Sequence, residues 1–235
     1  MNNYKATTYN NQAVRLLREG DYDGAIHYFS AAFQASKEAL EQPSADSVDG
    51  LSCISLDDYI LNVLFSDTPR SPKVDTANGE CIFQQAIAIQ SLFVKSCSYR
   101  SKLLVTTMIV FNMALAFHLR SMKSSNDTSK EYYLRNAAAL YEQAYNLHSH
   151  GVSDLGATTN FFSMAILNNI GQAFRSMGDS DKANQCFSHL STLLAIDRHR
   201  KDKARDCLLE HVLCFFCTTS HLRSSAENPS TAAAA

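Results

Sequence analysis

Three asparagines stand at matching places in otherwise apolar helical spacings. Asn11, Asn112 and Asn169 each lie two positions before a small residue, Ala13, Ala114 and Gly171 respectively. At ~100° per residue a helix turns such a position to roughly the opposite side from the small residue. A carboxamide carries one carbonyl and two N–H donors. It can therefore serve the N–H and the C=O of an extended peptide without demanding any side chain of it. Val14 and Arg18 share this face after Asn11; Gln172 and Ser176 share it after Asn169, with His118 and Arg175 at its edge. Two plainer readings stay open: asparagine tolerated on a polar face, or bonded to a neighbouring helix.

The other reactive types assemble less well. Cys207, His211, Cys214 and Cys217 suggest zinc, but ligands must converge on one point. On a continuous helix Cys207 and Cys217 stand roughly 15 Å apart along the axis. A redox pair wants a helix N-terminus to lower a thiol pKa, and Cys214/Cys217 come late in the expected helix. His148-Ser149-His150 and Cys186/His189 lack further ligands and read as loop or surface residues. Arg198-His199-Arg200-Lys201-Asp202-Lys203-Ala204-Arg205 could meet an acidic partner, although a helix start disfavours cations. Thr68-Pro69 and Ser71-Pro72 could accept phosphate, but plain loop punctuation is the better explanation of two dipeptides. There is no Gly-rich phosphate loop, no carboxylate pair and no nucleophile beside a base. The expectation is a protein that is not an enzyme, with no cofactor, metal or small-molecule substrate.

Composition narrows the rest. The 235 residues suffice for one domain, and 46% apolar content supports a core. A net charge of -2 provides no global field for nucleic acid or an anionic membrane, so neither is expected as a partner. Eight Gly and four Pro are few, which favours helices over a turn-rich β fold. The apolar run nearest a membrane span, Leu103–Leu119, is interrupted by Thr106, Thr107, Asn112 and His118. Met1-Asn2-Asn3-Tyr4-Lys5 shows no secretory pattern, and seven Cys at irregular spacings read as reduced thiols. The expected compartment is cytoplasm or nucleus.

The asparagines need helices to hold them in register, and the chain supplies pairs. In residues 4–41, Tyr9, Ala13 and Leu16 share a face. Gly20-Asp21 stops and restarts the chain, and Ala25, Phe29 and Ala32 follow. In residues 99–149, Val110, Met113, Ala114 and Phe117 are answered by Ala137, Tyr141 and Ala144, across a linker with Asn126-Asp127-Thr128 as cap. In residues 157–196, Leu167, Ile170, Gly171 and Phe174 precede Gly178-Asp179, then Ala183, Phe187 and Leu190. Residues 198–222 read as a capping helix and 223–235 as a disordered tail.

This small–large–apolar spacing resembles the tetratricopeptide (TPR) repeat, a helix–turn–helix unit of about 34 residues. The resemblance covers roughly two thirds of the chain. It implies an all-α fold: a right-handed α-α superhelix of three helical hairpins plus the C-terminal capping helix, with a partly extended insertion after the first hairpin. It places Asn11, Asn112 and Asn169 in a concave groove. Leu167-Asn168-Asn169 is similar to the "LNN" signature of kinesin-light-chain-type TPRs, whose asparagines also face the groove. The TPR groove that clamps a C-terminal carboxylate needs Lys and Arg where this chain has Asn10, Val14, Ala165 and Asn169, so no such clamp is expected. The function implied is a protein-interaction scaffold or adaptor that binds an extended peptide or partner. Arg18, His118, Gln172 and Arg175 would flank the asparagines.

Residues 43–98 are the insertion. Ser44–Gly50 reads as loop, residues 55–65 as a short apolar segment, and Thr68–Lys73 as exposed. Cys81–Ile89 is rich in Ile and Phe and leans towards extended chain. Met108, Leu115 and Leu119 around Asn112 are too apolar to face water comfortably. The expectation is that Ile82, Phe83, Ile87 and Ile89 cover them while Asn112 holds the backbone. The segment would then be permanent core of a structural subunit, or an internal competitor of a partner.

Overall fold

A computed structural model describes residues 2–42, 82–89, 99–152 and 160–198. These residues are all-α: α1 (Asn2–Glu19), α2 (Tyr22–Glu41), α3 (Tyr99–Lys123), α4 (Asp127–Val152), α5 (Asn160–Ser176) and α6 (Ser180–Arg198). Residues 82–89 form neither helix nor paired strand. Each helix packs on its neighbours in chain order, and α1 also touches α3.

Two of the three short connections are the same device. Gly20 and Gly178 adopt φ of 85° and 79°, a region that costs L-residues and suits glycine. Asp21 N–H then reaches back to Leu16 O (3.0 Å), and Asp179 N–H to Phe174 O (2.9 Å), closing the ends of α1 and α5. The same aspartates start the next helix. Asp21 Oδ1 accepts from Gly24 N–H at 2.9 Å, and Asp179 Oδ1 from Lys182 N–H at 3.2 Å. Between α3 and α4 the cap is Asn126, whose Oδ1 accepts from Thr128 N–H at 2.9 Å.

The small residues let helices approach. Ala13, Ala25, Ala32, Ala114, Ala137 and Ala144 are wholly buried, as are Phe29 and Tyr141. A Cβ on Gly171 would stand 2.7 Å from Phe187 Cε1, so α5 meets the ring of α6 where no side chain fits. Helix α3 is apolar almost all round and is mostly buried inside the fold, although by length and composition alone it could cross a membrane. It is apolar almost all round because α1, α2 and α4 pack against it. Lys102, itself buried, donates to Gln42 O at 2.9 Å and so ties the end of the first helix pair to the start of α3.

Two expectations are corrected, and the surface reading of His189 is met. His148 is neither in a loop nor on the surface: it belongs to α4 and is buried, with its ring 5.3 Å from that of Phe162, whereas Ser149, also on α4, is exposed. Arg198 is not at a helix start but is the last residue of α6. Cys186 and His189 lie on α6, the thiol half-buried and the imidazole exposed beside the Tyr145 ring at 5.9 Å. The expected capping helix beyond Arg198, the tail 223–235, the segment 55–65, Thr68 and Ser71, and Cys207, His211, Cys214 and Cys217 lie outside the described residues.

Candidate functional site

The three asparagines of α1, α3 and α5 all hold residues 82–89. Each takes both backbone groups of a single residue. Asn169 Oδ1 accepts from Phe83 N–H at 2.7 Å while its Nδ2 donates to Phe83 O at 3.0 Å. Asn112 does the same to Ile87, at 2.8 and 2.7 Å. Asn11 does so to Ile89, at 2.8 and 2.9 Å. In extended chain the N–H and C=O of one residue point to the same side, and residues two apart point alike. Residues 83, 87 and 89 share that parity. The asparagines thus do for this segment what a neighbouring strand does in a sheet.

The row is braced by further polar groups. Asn10 Nδ2 donates to Ile87 O (3.1 Å) and to Asn11 Oδ1 (3.1 Å), and Asn10 Oδ1 accepts from Asn112 Nδ2 (2.9 Å). In the third pair Asn168 Nδ2 donates to Asn169 Oδ1 (3.2 Å), and Asn169 Nδ2 donates to Tyr141 Oη (3.1 Å). Asn10, Asn112, Asn168 and Asn169 are wholly buried; Asn11 is half-buried. Burying irregular backbone normally leaves polar groups unmatched at about 1–3 kcal/mol each, and this network removes that penalty at three residues. Sequence reasoning missed Asn10, Asn168 and Tyr141 as supports. The available signal was the Asn-Asn dipeptide, which stands at 10–11 and 168–169 as well as at 2–3.

Side chains fill both flanks of the segment. Phe83, Ile87 and Ile89 join the core containing Met108, Val105, Phe111 and Ile170. Ile82 and Ala86 join the core containing Ala13, Val14, Leu17, Met113 and Leu115, with Leu119 packed beside it. Ile82, Ile87 and Ile89 are at most 1% exposed, so the segment is inside the protein and not laid on its surface.

The remaining expected residues divide. Arg18 and Arg175 are exposed. Val14 is buried in the core and is not part of an open face. His118 is not at an edge: it is wholly buried, its ring 6.0 Å from that of Tyr141. Neither of its nitrogens has a hydrogen-bond partner among the described residues, and desolvation lowers its pKa to about 4, so it is neutral at pH 7. Gln172 is also buried, its Oε1 unpartnered among the described residues. Burial likewise raises the Tyr141 hydroxyl pKa, which keeps it protonated beside Asn169; the hydrogen bond from Asn169 opposes the shift but is the smaller effect.

No family model, curated protein or solved structure matches this chain.

Proposed function

We propose that this chain is a TPR-like, non-catalytic interaction scaffold that binds extended peptide through the asparagine face of α1, α3 and α5. The observation that carries the reading is the two-point grip of Asn11, Asn112 and Asn169 on Ile89, Ile87 and Phe83. Such a grip engages only main chain, so it suits any peptide whose side chains fit. The identical Gly-Asp turns after α1 and α5, and the Asn-Asn pair carried by each of those helices, support a repeat of TPR type curving around that face. The proposed partner is a protein or peptide, met in the cytoplasm or nucleus.

A second reading has its own observation. Because Ile82, Ile87 and Ile89 are fully enclosed, residues 82–89 could serve as permanent core in a structural subunit. To test the first reading, partners recovered by the parent chain are compared with those recovered by Asn11→Ala and Asn169→Ala variants of equal helicity. Loss of a shared subset is expected. An unchanged set would refute peptide binding at this face.

A further inference from the structure

We infer that this face selects a peptide by a fixed apolar pattern and a fixed chain direction, and that residues 82–89 are the resident copy of that ligand. The inference rests on the reading of the asparagine face as a peptide-binding surface.

The hydrogen bonds alone would accept any sequence, so discrimination falls to the side chains. One flank takes Phe83, Ile87 and Ile89; the other takes Ile82 and Ala86. Gln84 and Gln85 are only half-buried and are the tolerant positions, whereas Ala88, also half-buried, packs against the same core as Ile82 and Ala86. The ligand pattern is therefore two large apolar residues, two unconstrained, one small, one large, one small, one large. Ala86 is 6% exposed amid Leu115, Met113 and Val14, and a bulky residue there would overfill packed core.

Direction follows from the braces. The peptide runs from α5 through α3 to α1, because Phe83, Ile87 and Ile89 sit on Asn169, Asn112 and Asn11 in that order. A reversed chain exchanges the places of N–H and C=O at each station. The amides cannot simply turn over to suit it. Asn112 Nδ2 is engaged by Asn10 Oδ1, Asn11 Oδ1 by Asn10 Nδ2, and Asn169 Oδ1 by Asn168 Nδ2. Turning one amide sets oxygen against oxygen or N–H against N–H.

A tethered ligand competes at an effective concentration on the order of millimolar. A free peptide with the same contacts therefore enters the intact chain only near that concentration. Cutting the tether removes the advantage.

The test uses the full chain with protease sites introduced within 70–79 and 91–96, cleaved after folding and diluted. The probe is a fluorescent peptide of residues 80–91. Expected are weak binding to the uncut protein and at least 100-fold tighter apparent binding to the cut protein. A reversed-sequence peptide and an A86F peptide should each bind at least tenfold more weakly. Equal binding of the reversed or A86F peptide overturns the inference, yet leaves the asparagine reading standing if Asn11→Ala still weakens binding. A cut protein that never exchanges its segment, or that precipitates, shows permanent core and overturns the inference. Exchange that is indifferent to both Asn11→Ala and Asn112→Ala refutes the asparagine reading itself. Asn11, being half-buried, provides the variant most able to fold if Asn112→Ala does not.

Discussion

Replacing Asn112 with Ala tests whether residues 82–89 are held as described. Asn112 is wholly buried and makes three hydrogen bonds: from Ile87 N–H, to Ile87 O and to Asn10 Oδ1. Truncation leaves Ile87 N–H without its acceptor and Asn10 Oδ1 without its donor. Ile87 O keeps Asn10 Nδ2 at 3.1 Å, so that carbonyl stays matched. Two stranded buried groups at about 1–3 kcal/mol each, partly relieved by rotation of Asn10, give a loss of roughly 2–5 kcal/mol. For a chain of this size that lowers Tm by roughly 5–20 °C. Asn11→Ala should cost less, about 1 kcal/mol, because water can reach its half-buried site. Asn112→Asp should be worse than Ala at pH 7, since a buried carboxylate would face Ile87 O and Asn10 Oδ1. The assay is urea unfolding followed by circular dichroism, with the midpoint compared at constant slope. A change below about 0.5 kcal/mol for Asn112→Ala would refute the geometry, as would Asn11→Ala costing as much.

Other expectations follow from single contacts. Gly171→Leu should destabilise by about 1–3 kcal/mol or more through overpacking against Phe187, and Gly171→Ala by less, because about 1 kcal/mol of helix propensity offsets its clash; a Gly171→Leu variant with thermal unfolding equal to the parent would show that α5 and α6 do not meet there. His118 is neutral in the fold, with its pKa lowered from 6.5 to about 4, so the unfolded chain takes up the proton first as pH falls. Its stabilising effect is complete above pH 6.5 and is lost down to about pH 4, amounting to roughly 3 kcal/mol; the parent-minus-His118→Leu difference in unfolding free energy should show that slope, and a flat difference would count against burial of the imidazole. Burial, helped by Glu142, raises the Cys186 thiol pKa to about 11. Mass spectrometry of iodoacetamide labelling at pH 7.5 should find Cys186 in the native protein labelled many times more slowly than in urea.

What the sequence determined by itself is local. Gly20-Asp21 and Gly178-Asp179 specify both a helix stop and the next start, because a positive φ and a capping carboxylate are needed within two residues. The register of Asn11, Asn112 and Asn169 against Ala13, Ala114 and Gly171 is also local, since a helix turns by a fixed angle per residue. The Ile and Phe content of Cys81–Ile89, which leans towards extended chain, is legible in the same local way. Tertiary structure decided which asparagine meets which residue: Phe83, Ile87 and Ile89 are four and then two positions apart, a spacing set by the distances between α5, α3 and α1. It also drew Asn10 into the row, although α1 periodicity gives no hint that Asn10 and Asn112 touch. His118 and His148 each became a buried ring against an aromatic neighbour because α4 and α5 close over them, and a polar residue type carries no record of what will cover it.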